Sequence, residues 1–165
     1  GGHGDRFVQA CARTPCEPSH MDPHALLAYA LTLLALYLRF VGLTLVQGRA
    51  RLTGHVFRHP EDAAHWGGEA RARELEVVER AQAALRNDGE SQPFFLLAAL
   101  VWVLVGVEGA IAAGAFGLYV VARTLHAWWM LRPRQPARNR VFGISQLVIS
   151  GIVIDVVRRA VVGLG

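Results

Sequence analysis

Arg86, Asn87 and Glu90 stand at i, i+1 and i+4, a spacing that gathers them on roughly one face of a helix. A guanidinium, an amide and a carboxylate side by side can hold a zwitterion. The arginine grips a carboxylate at two points, the glutamate takes an ammonium, and the asparagine both donates and accepts. Three other segments carry groups of the same kind. Arg123 and His126 are i and i+3, Arg51 follows the first apolar block, and Arg138 precedes the last. Nucleophilic machinery of the Ser/His/Asp or Cys/His kind is not evident, and both cysteines, Cys11 and Cys16, fall in the first twenty residues.

These polar groups must be positioned by a chain whose apolar residues come in membrane-length blocks. Of 165 residues 53% are apolar, and the mean hydropathy is +0.30. The blocks cover 26–46, 94–107, 110–131 and 142–162. Each is near the ~20 residues that cross ~30 Å of hydrocarbon as a helix, the second only if its polar lead-in belongs to the same helix. A soluble bundle fits less well, because the third block has almost no polar face before Arg123. The pattern predicts an all-α integral membrane protein, a four-transmembrane-helix bundle. Its helices cover about 24–48, 75–106, 109–131 and 139–163, with a cytoplasmic loop over 49–74, in a membrane domain of 21–165. Residues 1–20 have no apolar h-region and read as a disordered or non-native tail.

All 17 basic residues are arginine, a bias of coding rather than a nucleic-acid footprint, since they cluster beside the apolar blocks. The net charge of +4 is therefore assigned to the membrane surface, and no nucleic-acid partner is expected. Arg49, Arg51, Arg58, Arg71 and Arg73 crowd the first loop, and Arg132, Arg134, Arg138 and Arg140 the third, whereas the turn at Glu108–Gly109 carries no basic residue. The positive-inside rule puts loops one and three in the cytoplasm and both termini outside, with Trp128 and Trp129 at the interface. No metal site is expected. Cys11 and Cys16 with His3, His20 or His24 match no compact ligand spacing, and Pro60 interrupts His55, His59 and His65.

With that topology Arg51, Arg86–Asn87–Glu90, Arg123–His126 and Arg138 reach one depth, at the cytoplasmic side. A ligand with two carboxylates, an amine and peptide groups satisfies this inventory, and glutathione is such a molecule. A phosphate ligand would use the arginines but be repelled by Glu90.

The segments Gly48–Leu52, Pro60–Ala63 followed by Gly67–Gly68, Glu79–Arg80 through Arg86–Glu90 and Pro93–Phe94, Arg123 with His126, and Arg134–Arg138 occur in this order between the apolar blocks. In that arrangement the chain resembles the membrane-associated proteins in eicosanoid and glutathione metabolism, over about residues 24–162. The likeness is greatest to the branch that isomerises a prostaglandin endoperoxide with glutathione. The resemblance implies a homotrimer with glutathione bound between neighbouring subunits and a lipophilic substrate entering from the bilayer, in an endoplasmic reticulum or a bacterial inner membrane. It implies that Arg51, Arg86, Asn87, Glu90, Arg123 and His126 hold or line the glutathione site. Arg138 matches an arginine that stabilises the thiolate, in keeping with a cation lowering a thiol pKa. Asp62 matches an aspartate with a proton-handling role.

The chain departs from the pattern at four places. Asn139 stands where the family has a serine, Met130 and Phe142 where it has tyrosines lining the site, and Ala83 where it has an arginine. An amide at 139 still offers a hydrogen bond to a thiolate. Arg39, mid-span in the first block, is expected to pair with Asp88 in a structural role, because a lone charge there is expensive. The expected activity is that of a membrane-embedded glutathione transferase or isomerase. The alternatives are a non-catalytic lipid- or partner-binding member of the same fold, and a small transporter.

Overall fold

A computed structural model of the chain describes residues 21–162; the tail 1–20, with Cys11 and Cys16, lies outside the described residues. Four long helices dominate: α1 (Pro23–Gly54), α3 (Glu76–Leu104), α4 (Gly109–Leu131) and α5 (Gln135–Val162). Between α1 and α3 come β1 (Val56–Phe57), the short α2 (Pro60–Trp66) and β2 (Glu69–Ala70).

The long helices pack side by side around an aromatic centre. Phe95 of α3 stacks on Tyr119 of α4 with ring centroids 3.6 Å apart, and Phe116 meets Phe95 and Trp102 edge-on. Small residues, Ala25, Ala99 and Ala112, let the backbones close around these rings. The outside is apolar too. Leu31, Leu38, Phe94, Leu97, Leu147 and Ile154 are all more than half exposed, as suits a surface solvated by lipid. Helices α1, α4 and α5 are long and apolar enough to cross a membrane. In α3 the lead-in from Glu76 and the apolar half are one continuous helix, with Pro93 inside it. At 29 residues it is about 43 Å long, more than the hydrocarbon is thick.

Helix α1 runs to Gly54 rather than 48, since Arg49–Thr53 contains no breaker and Arg51 in the last turn suits the helix dipole. His55, in the left-handed region at φ 50°, stops it. Helix α5 begins at Gln135, four residues before 139, because Pro136 is tolerated in a first turn. The segment expected as a loop is ordered locally. β1 and β2 pair in parallel, Val56 opposite Glu69 and Phe57 opposite Ala70, and α2 bridges them. Gly68 permits that bridge, since a Cβ there would lie 2.5 Å from the His55 carbonyl oxygen.

One carboxylate ties two helix starts together. Asp22 caps α1 by accepting the His24 N–H at 2.8 Å, and its other oxygen accepts the Gly109 N–H, the first of α4, at 2.6 Å. These backbone bonds hold the Asp22 carboxyl below the ordinary carboxylate range. At the same end of the bundle, Asp155 accepts Trp102 Nε1 at 2.8 Å and pairs with Arg158 and Arg159, joining α5 to α3.

Candidate functional site

The N-terminal half of α3, the end of α4 and the start of α5 line an open polar cavity of about 460 Å³. Arg86, Asn87 and Glu90 line it from α3, His126 and Met130 from α4, and Arg138 and Asn139 from α5; Ala83 completes the wall. Each arrives by helical periodicity. Positions 83, 86, 87 and 90 form one stripe, and 126 and 130 another, because residues three and four apart share a face.

The cavity is rich in donors. Arg138 forms no ion pair among the described residues; its guanidinium donates to Gln135 Oε1 at 3.0 Å and to the Met130 thioether at 3.2 Å. A thioether is a weak acceptor that an anion readily displaces. His126 is buried, tilts against the Phe142 ring, and its Nδ1 has no hydrogen-bond partner among the described residues. An anionic peptide meets here two arginines, two amides and an imidazole, with Glu90 as the one carboxylate.

Beside the cavity, an apolar groove of about 430 Å³ runs along α3 and α5 towards the middle of the bundle. Phe94, Leu97 and Ala98 form one side, Phe142, Ile149 and Val153 the other. Asn87 and Glu90 line both spaces. A polar molecule in the cavity and an apolar one in the groove would meet at those two side chains.

Behind them lies a charged network in the interior. Asp88 pairs with Arg123 through Oδ1 and with Arg39 through Oδ2, the latter at 2.5 Å. Arg39 also donates to the Arg123 carbonyl oxygen at 2.6 Å, and Arg123 donates to Asn87 Oδ1 at 2.7 Å. Arg123 is wholly buried and lines neither the cavity nor the groove. It reaches the site only through Asn87.

The MAPEG family model matches residues 26–157. The chain belongs to that family. Among its relatives are prostaglandin E synthase of Equus caballus, 30% identical over 137 residues (82% of this chain and 90% of that one), and of Homo sapiens, 29% identical over 147 residues (87% and 97%). Microsomal glutathione S-transferase 1 of Rattus norvegicus is 32% identical over 130 residues (76% and 84%). As a MAPEG protein with three helices apolar enough to span, this is a membrane protein.

Not every expected site residue of this MAPEG chain faces its own cavity. Arg51 points to Glu74, Nε to Oε1 at 2.6 Å and NH2 to Oε2 at 3.1 Å. Asp62 is exposed in the first turn of α2, outside the cavity lining. Phe142 sits in the groove and backs His126.

Glu74 and Gln135 are neighbours that sequence reasoning did not single out. Glu74 also accepts from Gln82 at 2.7 Å, and Arg51 above all holds its carboxyl below the ordinary range. The only signal for Glu74 is an acid placed between two arginine-rich stretches. For Gln135 it is the i, i+3 spacing to Arg138.

Proposed function

We propose that this protein is a membrane-embedded, glutathione-dependent transferase or isomerase, prostaglandin E synthase-like, acting on a lipophilic electrophile or peroxide. The observation that carries the reading is the polar cavity with Arg86, Glu90, His126 and Arg138 in its wall, abutting an apolar groove across Asn87 and Glu90. Relatives named prostaglandin E synthase and microsomal glutathione S-transferase support it. The residues present fit the tripeptide. Arg86 suits a carboxylate, Glu90 the ammonium, and the free Nδ1 of His126 a further hydrogen bond.

Glutathione is the co-substrate and supplies a sulfur nucleophile. Arg138, without an ion-pair partner among the described residues, turns to the sulfur and raises the thiolate fraction, and Asn139 adds a hydrogen bond. The apolar groove admits the lipophilic partner from the bilayer. Water, or Asp62, handles the proton. The protein works as a homotrimer of four-span subunits, with the cavity on the cytoplasmic side of a bacterial inner membrane or an endoplasmic reticulum. Arg51, turned from its own cavity, contributes to a neighbour's, and Arg123 supports the site through Asn87.

The test is glutathione binding to the detergent-purified protein while thiolate absorbance is followed. Wild type is expected to bind, Arg86→Ala to lose binding, and Arg138→Ala to keep binding but lose the thiolate signal. Folded wild type that neither binds glutathione nor conjugates it to an aryl halide would leave a non-catalytic MAPEG protein.

A further inference from the structure

Met130 stands in the last turn of α4, half-buried against a small cluster of Leu43, Ala84 and Ala127. Its thioether accepts from Arg138 NH1 at 3.2 Å. The same side chain lines two open polar spaces. One is the cavity of about 460 Å³; the other, of about 590 Å³, shares Ala83 and Arg138 with it and adds Glu76, Glu79 and Arg80. An unbranched thioether fills gaps well, which accounts for the packing. It does not account for a sulfur turned to a guanidinium between two polar openings.

We infer that Met130 is a reversible oxidation site, and that its sulfoxide withdraws Arg138 from the glutathione sulfur. The effect on Arg138 rests on the glutathione-dependent reading; the oxidation of Met130 does not. The oxidant is a hydroperoxide, hydrogen peroxide being the simplest. A sulfur lone pair attacks the terminal oxygen, an S–O bond forms and the O–O bond breaks. The electron pair leaves on the other oxygen, which takes the proton of the transferred hydroxyl and departs as water or an alcohol. The thioether is oxidised to a sulfoxide and the peroxide is reduced. The oxygen is thus placed on an atom that Arg138 already touches, and it is a far stronger acceptor than the sulfur was. Among the described residues no carboxylate holds that guanidinium elsewhere, its other acceptor being the neutral Gln135 amide. A charge-assisted bond to the sulfoxide competes with the thiolate for the same donors, and the thiolate fraction falls. Methionine sulfoxide reductases reverse the change.

The chain has two methionines, and the other is an internal control. Met21 adjoins Asp22 at the start of α4, whereas Met130 is at its end. Detergent-purified protein is treated with hydrogen peroxide, then with dithiothreitol to return cysteine disulfides and sulfenic acids to thiols, and each sulfoxide is located by peptide mass. Glutathione thiolate absorbance and conjugation to an aryl halide are compared with the untreated sample of the same protein. Wild type and Met21→Leu are expected to lose thiolate signal and about tenfold in kcat/KM, the worth of one charge-assisted hydrogen bond, in step with the Met130 sulfoxide. Methionine sulfoxide reductases should restore both. Met130→Leu, whatever its own starting rate, should lose nothing on treatment. Three results overturn the proposal and leave the glutathione reading standing: a Met130 that stays unoxidised while Met21 is converted, a Met130 sulfoxide that leaves thiolate signal and turnover unchanged, or an equal loss in Met130→Leu. Untreated wild type with no thiolate signal overturns that reading instead, and with it the effect on Arg138, while the peptide masses still decide whether Met130 is oxidised.

Discussion

Asp88 and Arg39 meet in the bundle interior with their charged atoms 2.5 Å apart, and the second Asp88 oxygen holds Arg123. Two cations thus share one anion, all three more than nine-tenths buried as side chains. Removing the anion leaves two unpaired buried cations, whereas removing Arg39 leaves a balanced pair. Asp88→Ala is expected to cost about 3–5 kcal/mol, the usual result of breaking a buried pair from one side. Arg39→Met, which keeps the aliphatic volume, should cost clearly less. Thermal unfolding of both variants in one detergent checks the order; equal losses would mean that the network is not a charge-balanced unit.

The carboxylate of Asp22 caps α1 and α4 together, and its depressed pKa gives the pH sign. A group whose folded pKa lies below its unfolded one stabilises the fold above the unfolded value, about 4 for an aspartate, and loses that contribution as pH falls through the folded value. The melting-temperature gap between wild type and Asp22→Ala should be widest at pH 6–7, on the order of several degrees, and shrink below about pH 4. A gap that widens on acidification would contradict the shared cap. Gly109→Ala should destabilise as well, because its Cβ would sit 2.5 Å from the His24 Cβ, and overpacking costs about 1–3 kcal/mol.

Legibility in the sequence followed range of interaction. The long helices could be read because apolar blocks and helical spacing are local signals, and Arg86, Asn87 and Glu90 share a cavity because one helix carries them. Reading Glu76–Leu104 as a single helix required Pro93 to be tolerated inside it, which a lipid- and protein-packed helix allows. The β1–β2 pairing was invisible, since two residues per strand leave no alternation to detect. Neither the Arg51–Glu74 pair, 23 residues apart, nor the burial of Arg123 behind Asn87 has a periodic signature. Both depend on how α1, α3 and α4 close on each other.

Glu74 anchors the segment between α1 and α3 through Arg51 and Gln82. Its side chain is nearly buried, so charge-assisted bonds there are worth more than an exposed pair. Glu74→Ala should loosen residues 55–75 without unfolding the bundle. Limited trypsinolysis should then cut after Arg58, Arg71 or Arg73 several-fold faster than in wild type. Because its folded pKa is depressed, the same loosening should appear in wild type only as pH falls below the ordinary glutamate value of about 4.3. An unchanged digestion pattern would show that the β1–β2 pairing alone holds the segment.

Glu90 is the one carboxylate in the cavity wall, so it decides which end of glutathione can sit there. If it receives the ammonium, Glu90→Gln removes an ion pair and keeps a neutral hydrogen bond. Affinity for glutathione should drop about 10-fold, in line with the ~1.5 kcal/mol or more by which a charged hydrogen bond contributes. The sharper check is N-acetylglutathione, which has lost that charge. Wild type should bind it more weakly than glutathione, and Glu90→Gln should bind the two alike, a difference that titration calorimetry resolves. Retained discrimination in Glu90→Gln would move the amine to another part of the cavity, and Glu90 would then act at the boundary with the apolar groove.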